Sequence, residues 1–430
     1  MTRIEENRQT ALGKLFGARS LPIPRGITSV CSAHPLVIEA ALRRAGAEEQ
    51  PVLIEATCNQ VNQEGGYTGM TPAGFRRFIE GIATELDFPT ERIILGGDHL
   101  GPNPWKFLAA EEAMARAEAM VVAYVEAGFE KIHLDTSMGC AGEPIALDDE
   151  LTAARAARLA KAAEEAALRS NRRPPVYIIG TEVPPPGGAT HEIAGIDITR
   201  CDAALKTLKV HQESFAQAGI ATAIARVIGI VVQPGVEFGN SNVVLYKPER
   251  AKSLISALDE MPGLLFEAHS TDYQTTEGLA ALVDGGFAIL KVGPGLTFAL
   301  REALYGLDAI ASITCGDRET TLVESMESIM LDRPLNWAGH YGGTAEEIKL
   351  QRHFSYSDRI RYYWPDPRAS AAVDELFSRF QGDIPQTLIS QYLGRVYSDV
   401  VSKRIGASAR DLCLAAIDAA LAPYSMATSR

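Results

Sequence analysis

Short runs of consecutive apolar residues alternate along the chain with longer amphipathic stretches. The runs are rich in Ile, Val and Leu, and most of them lack a strict alternation of apolar and polar positions. Such runs are typical of strands that are buried on both faces of a parallel sheet. The sequence therefore predicts eight strands, at Gly26–Cys31, Val52–Thr57, Arg92–Gly97, Lys131–Asp135, Val176–Glu182, Arg226–Val232, Leu264–His269 and Ala288–Val292.

The stretches between these runs have the composition and period of helices. Ala109–Ala127 and Leu151–Arg169 are rich in alanine, and Ala203–Ala218 and Glu249–Glu260 follow the same pattern less cleanly. Strands joined by helical crossovers predict an α/β fold, a TIM (β/α)8 barrel, with a doubly wound sheet as the alternative.

The strand signal ends at Pro294, and the remaining chain has a helical pattern. The predicted helices there are Thr297–Leu307, Glu319–Leu331, Ser370–Phe380, Gln386–Tyr397 and Ser408–Leu421. No linker-like or low-complexity stretch separates them from the strands. We therefore expect residues 1–300 to form the barrel and residues 301–430 to form a helical C-terminal extension packed on it.

Composition narrows the classes of function. A net charge of −13 makes a nucleic-acid backbone an unfavourable partner. No stretch approaches about 18 uncharged apolar residues, so no membrane span is expected. The six cysteines form no CxxC pair, and the first residues have no apolar core of signal-peptide length. These features favour a reduced, cytoplasmic location.

Several predicted strands end in residues that carry out proton or metal chemistry. Asp98 and His99 follow the third strand, Asp135 and Glu182 end the fourth and fifth, and His269 ends the seventh. In a (β/α)8 barrel, active groups gather at the carboxyl ends of the strands. We therefore expect these five side chains to share one site.

The residue types suggest their roles. Asp98 beside His99 suits a general base next to a metal ligand, or an acid/base pair. Glu182 ends a strongly apolar strand and so requires a cation, a metal or a proton. His99, Glu182 and His269 are the expected ligands of a divalent metal ion, and Asp98, Asp135 and Glu182 the expected catalytic carboxylates. His133, on the same strand face as Asp135, is expected to be a satisfied interior histidine.

Other polar residues near strand ends are candidates for substrate binding. Amide side chains can form hydrogen bonds with sugar hydroxyls. The alternative is that these amides serve only to brace the backbone of their own loops. Lys291 suits a phosphate or a hydroxyl, and Arg359 and Arg361 could add cationic forks to a phosphate site at the helix after Gly293. The expected substrate-binding residues are Glu55, Asn59, Gln60, Gln233, Asp272, Lys291 and Arg359.

Long stretches of the chain resemble one family, the tagatose-bisphosphate aldolase GatZ/KbaZ-like proteins. The matching stretches are Ile54–Thr71, Gly96–Pro104, His133–Pro144, Gly180–Gly188, Val231–Phe238, Phe266–Thr275, Leu290–Glu302 and Ser357–Pro365. The resemblance implies a barrel related to class II, metal-dependent aldolases. It implies Asp98 as base and His99 as metal ligand, with further ligands at His269 and Glu182. Gln233 stands where the wider group commonly has another metal histidine.

The resemblance leaves three functions open. One is an aldolase that cleaves tagatose 1,6-bisphosphate, a second is a ketohexose 4-epimerase that interconverts D-fructose and D-tagatose, and a third is a non-catalytic subunit that stabilises a separate aldolase subunit. The expected cofactor is Zn²⁺ or Mn²⁺, and the expected ligand is a ketose or ketose phosphate. The sequence leaves open whether the protein forms a homo-oligomer. The sequence has no phosphate-binding loop or kinase signature, so nucleotide use is not supported.

Overall fold

Eight parallel strands close into a barrel, which confirms the predicted (β/α)8 fold. The protein is described by a computed structural model that covers residues 12, 26–181, 183, 196–316 and 319–429. The described strands are β1 (Ile27–Val30), β2 (Val52–Thr57), β3 (Ile93–Leu100), β4 (Lys131–Leu134), β5 (Val176–Ile179), β6 (Val227–Val232), β7 (Glu237–Phe238), β8 (Val243–Val244), β9 (Leu265–Ala268) and β10 (Phe287–Val292).

The barrel order is β1-β10-β9-β6-β5-β4-β3-β2, and β7 and β8 form a separate hairpin after β6. Closure leaves no open sheet edge in the barrel. Each predicted strand is present. The third, however, continues past Gly97 to Leu100, and the fifth ends at Ile179 instead of Glu182.

Helices connect the strands and cover the outside of the barrel. The described α-helices are α1 (Pro35–Ala47), α2 (Pro72–Glu85), α3 (Ala110–Glu126), α4 (Asp149–Arg169), α5 (Cys201–Gln217), α6 (Pro248–Glu260), α7 (Thr276–Asp284), α8 (Pro294–Thr314), α9 (Leu322–Asp332), α10 (Ala345–Phe354), α11 (Pro367–Ser378), α12 (Gln386–Tyr392), α13 (Gly394–Val401) and α14 (Ala409–Thr428). Among the described residues, no helix is both long and apolar enough to cross a bilayer.

The last helix joins the outer ring of the barrel. α14 packs against α1, α7 and α8, and it also contacts β1. The predicted boundary between residues 300 and 301 falls inside α8, and the division into barrel and extension stays a prediction. The single helix predicted at Gln386–Tyr397 is wrong, because the backbone leaves the helical conformation at Leu393 (φ −133°, ψ 41°) and divides the segment into α12 and α13.

The barrel interior is apolar at its lower end and charged towards its mouth. Leu53, Leu265 and Ile289 belong to an apolar cluster inside the barrel. Because side chains on one strand face recur every two residues, the next interior positions are Glu55, Glu267 and Lys291. This charged layer lies directly beneath the rim where the candidate site is built.

Candidate active site

Asp98 and His99 both lie within β3, where the backbone departs from regular strand geometry. The pairing of β3 with β4 shifts register between Gly97 and Leu100. His99 has a positive φ of 49°, an uncommon conformation for a residue with a side chain. Successive side chains of a regular strand point to opposite faces, and this irregularity lets both Asp98 and His99 line one cavity.

Three histidine rings meet at this point. The ring centroids of His99, His133 and His269 lie 4.8 to 5.1 Å apart. With Asp98 they form a buried group in which one ligand atom from each residue lies within 4.8 Å of the others. Three imidazoles and one carboxylate are suited to a borderline divalent cation such as Zn²⁺. This buried group could therefore hold a divalent metal ion.

Each histidine has one ring nitrogen next to a carboxylate. His99 Nδ1 lies 2.7 Å from Asp135 Oδ2, and His269 Nε2 lies 2.9 Å from Glu267 Oε1. His133 Nδ1 lies 2.9 Å from Asp98 Oδ1, and His133 Nε2 is buried with no hydrogen-bond partner in the described part of the chain. Histidines that bind metals usually place the second ring nitrogen on a carboxylate or carbonyl in this way. The residues therefore fit a metal ion.

Opposite charges keep the carboxylates of the site ionised. Burial disfavours a charged Asp98, but the nearby His99 ring and the Lys291 ammonium outweigh it and hold the pKa of Asp98 well below its usual range. Burial likewise opposes ionisation of Asp135, yet the hydrogen bond from His99 lowers its pKa to about 2. Both side chains are therefore acceptors, and two negative charges at one place favour a bound cation.

A layer of paired charges supports the site from below. Lys291 Nζ lies 2.5 Å from Asp98 Oδ1 and 3.2 Å from Glu55 Oε2. Lys131 Nζ lies 2.7 Å from Glu55 Oε1 and 2.7 Å from Glu267 Oε2. Glu55 is fully buried in this layer and does not line the cavity above it. The layer connects the floor of the site to His269 through Glu267.

Above the metal-ligand group the barrel opens into a cavity of about 600 Å³. The predicted residues that line it are Asn59, Gln60, Asp98, His99, His269, Asp272 and Lys291. Gln60 uses its amide to brace the loop, because Oε1 accepts from the Thr57 amide at 2.8 Å. The structure thus brings together most of the predicted site residues at the carboxyl ends of the strands.

Comparison with known proteins identifies the family. The model of the family described as "D-tagatose-1,6-bisphosphate aldolase subunit GatZ/KbaZ-like" matches residues 12–429. The chain belongs to the GatZ/KbaZ-like family.

Two relatives show how far the similarity extends. A protein of Agrobacterium fabrum (strain C58 / ATCC 33970), named D-tagatose 6-phosphate 4-epimerase, is 56% identical over 432 residues, which cover 100% of this chain and 99% of the relative. A crystal structure of a Sinorhizobium meliloti 1021 protein, described as a probable tagatose 6 phosphate kinase, is 60% identical with a TM-score of 0.87. That match covers 94% of this chain and 100% of the other.

Other predicted residues of this GatZ/KbaZ-like protein lie away from the cavity. Asp135 stands behind His99, and its Oδ1 accepts from the Ser137 hydroxyl at 2.9 Å. Gln233 braces a loop, because its Oε1 accepts from the amides of Gly235 (2.8 Å) and Val236 (3.0 Å). Arg359 packs over the Tyr362 ring and donates to the Asn336 carbonyl.

Glu182, expected both as a catalytic carboxylate and as a metal ligand, lies outside the described residues.

The start of α8 is the predicted phosphate site. Its amides do not face an open space, because Gly293 and Gly295 donate to Asp272 Oδ1 at 3.0 and 2.7 Å. Burial raises the pKa of Asp272 to about 6. This helix start is therefore already bound to a carboxylate of the protein.

The sequence analysis did not assign a ligand role to His133, although the structure places it within the metal-ligand group. The sequence did indicate that His133 could reach the site, because His133 and Asp135 are two residues apart and so lie on the same face of their strand. Arg361 and Tyr362 also line the cavity, and they come from the short helical turn Arg359–Tyr363. No strand-end pattern marks that turn.

Replacing Asp135 by Asn should weaken metal binding by about 10- to 100-fold, because the carboxylate that orients His99 is lost. Metal affinity can be measured by competition with a chromophoric chelator. Asp202→Asn, at an exposed position on α5, is the control. If Asp135 transferred the proton itself, Asp135→Asn would retain metal affinity and lose turnover at saturating metal.

Proposed function

We propose that the protein is a metal-dependent 4-epimerase that interconverts D-tagatose 6-phosphate and D-fructose 6-phosphate. The observation that carries this proposal is the 56% identity, over the full chain, to a protein named D-tagatose 6-phosphate 4-epimerase. The second ketose follows from the chemistry, since inversion at C4 of tagatose gives fructose. The clustered Asp98, His99, His133 and His269 support the metal requirement.

A reversible cleavage of the C3–C4 bond accounts for inversion at C4. A divalent ion held by the histidines would act as a Lewis acid on the ketose oxygens. Asp98 accepts the proton of the C4 hydroxyl while the C3–C4 electron pair moves to C3 and forms an enolate. The aldehyde then rotates about its C4–C5 bond, the C3–C4 bond re-forms on the other face, and Asp98 returns the proton. The overall reaction needs no further reagent.

The surrounding residues suit Asp98 to this role. It lines the cavity beside His99, and its carboxylate is in the ionised form that a proton acceptor requires. The ammonium of Lys291, 2.5 Å from Oδ1, fixes one carboxylate oxygen. Asn59 lines the same cavity and can bind a sugar hydroxyl.

Aldol cleavage is the second candidate, because the family description names a tagatose-1,6-bisphosphate aldolase subunit. Both reactions share the metal, the base and the C3–C4 bond. They differ in whether the fragment aldehyde rotates and reacts again or leaves the site. A non-catalytic subunit is less well supported, since a scaffold has no need for buried carboxylates and imidazoles at the strand ends.

Product analysis separates these functions. Protein loaded with Mn²⁺ or Zn²⁺ is incubated in separate assays with D-tagatose 6-phosphate, tagatose 1,6-bisphosphate and free D-tagatose. The products are measured with enzymes specific for fructose, for fructose 6-phosphate and for glyceraldehyde 3-phosphate. We expect fructose 6-phosphate to accumulate with little triose phosphate. Net release of triose phosphate from tagatose 1,6-bisphosphate would favour the aldolase. No turnover of either sugar phosphate, or of free tagatose, would favour the non-catalytic subunit.

A further inference from the structure

Arg361 lines two neighbouring cavities at the mouth of the barrel. One is the cavity that contains Asp98, His99 and His269. The other, of about 800 Å³, lies beside it and is lined by residues such as His34, Met70 and Trp364. Because Arg361 borders both spaces, its side chain is placed to contact the part of a substrate that extends away from the metal-ligand group.

The contacts of Arg361 fix its side chain without neutralising it. Nη1 donates to the backbone carbonyls of Ser357 and Asp358, the latter at 3.0 Å, and Nη2 donates to the Tyr362 hydroxyl at 3.2 Å. None of the described carboxylates lies within ion-pair distance of it. The Asp358 carboxylate instead accepts from the Thr297 hydroxyl at 2.5 Å.

These contacts leave part of the guanidinium available. An arginine has five N–H donors, and the contacts to described residues use three of them. The Nε–H and one Nη2–H remain without a partner among the described residues, and a guanidinium binds phosphate oxygens through such donors. The Tyr362 hydroxyl lies 3.2 Å from Nη2, and Tyr67, whose ring centroid is 4.6 Å from that of Tyr362, lines the same cavity.

The other groups of the described cavity lining that could bind an anion are already engaged. Lys291 is in contact with Asp98, Glu55 and Glu267. The amides at the start of α8 donate to Asp272, as described above. A phosphate at either place would displace or oppose a carboxylate of the protein, which costs free energy. Arg361 presents no such conflict.

We propose that Arg361 binds the 6-phosphate of the ketose and so makes the enzyme selective for phosphorylated sugars. This inference rests on the proposed function for the identity of the sugar. The phosphate lies beside Arg361, Tyr67 and Tyr362, and the ketose chain extends from there to Asp98 and the histidines. The C-terminal segment thus supplies the specificity of a site whose chemistry comes from the barrel strands.

Binding of an unreactive substrate analogue tests this role. D-glucitol 6-phosphate lacks the ketone and cannot be epimerised, and D-glucitol lacks the phosphate as well. By calorimetry, wild-type protein should bind D-glucitol 6-phosphate more tightly than D-glucitol. Arg361→Gln should weaken binding of the phosphorylated analogue by about 10- to 100-fold and leave D-glucitol binding nearly unchanged. Arg361→Lys, which retains the charge but not the paired donors, should fall between the two.

The matched control is Arg368→Gln, which removes one positive charge from α11 at a half-exposed position outside both cavities. It should retain wild-type selectivity. Equal affinity of wild-type and Arg361→Gln for D-glucitol 6-phosphate would overturn the inference, as would equal loss for both analogues. The proposed function fails separately, if wild-type binds D-glucitol 6-phosphate selectively but does not epimerise D-tagatose 6-phosphate.

Discussion

Asp98→Asn should lower kcat for 4-epimerisation by about 100- to 10,000-fold, the usual contribution of a positioned general base. The amide has the same shape as the carboxylate but cannot accept the C4 hydroxyl proton. The measurement is the rate of fructose 6-phosphate formation from D-tagatose 6-phosphate at saturating metal and substrate. Circular dichroism and metal content confirm that the variant is folded and loaded.

Asp202→Asn on the exposed surface of α5 is the matched control and should retain wild-type kcat. If folded, metal-loaded Asp98→Asn had a kcat within a few fold of wild-type, Asp98 could not be the proton acceptor. Loss of metal in Asp98→Asn, with recovery of kcat at high metal concentration, would instead assign Asp98 to metal binding alone.

Lys131→Met should destabilise the protein by about 3 to 5 kcal/mol, since removing one partner of a buried ion pair leaves its counter-charge unpaired. Lys131 is fully buried and lies 2.7 Å from carboxylate oxygens of both Glu55 and Glu267. Its loss leaves these two carboxylates inside the barrel with one ammonium, Lys291, nearby. The free energy of unfolding can be measured by urea denaturation followed by circular dichroism.

Lys206→Met is the control, because Lys206 forms its ion pair with Asp149 at a half-exposed surface position. Its effect should be much smaller, since exposed pairs contribute little. The double variant Lys131→Met/Glu267→Gln should recover part of the loss, because it also removes a buried negative charge. If Lys131→Met lowered the free energy of unfolding no more than Lys206→Met does, the buried carboxylates of Glu55 and Glu267 would not require Lys131 for their stabilisation.

The barrel could be predicted from sequence because its signal is local. Apolar runs such as Val52–Thr57 and Val227–Val232 follow from burial on both faces, and their lengths fix the strands closely. The packing of α14 among α1, α7 and α8 could not be predicted, because it joins segments far apart in the chain. The break at Leu393 was also missed, since the apolar period continues across it.

The site could be predicted only in part, because some of its features depend on long-range contacts and not on local sequence. Strand-end position was enough to place Asp98, His99 and His269 together, but not to predict the irregular backbone of His99, which depends on the pairing of β3 with β4. Glu55 is one layer deeper than its position near a strand end suggests. Arg359 and Arg361 are two residues apart in one short turn, and only the tertiary structure shows that Arg361 faces the cavity.

Metal titration of the metal-free protein tests whether epimerisation depends on a metal ion bound by these histidines. Chelator-treated wild-type protein and His133→Ala are titrated with Mn²⁺, and bound metal and conversion of D-tagatose 6-phosphate are measured in the same samples. We expect wild-type activity to rise in proportion to bound metal and to reach its maximum at one ion per chain, whereas His133→Ala should bind Mn²⁺ more weakly and lose activity with it. Full activity of metal-free wild-type protein, or unchanged metal affinity in His133→Ala, would contradict a metal-dependent epimerase built on these residues.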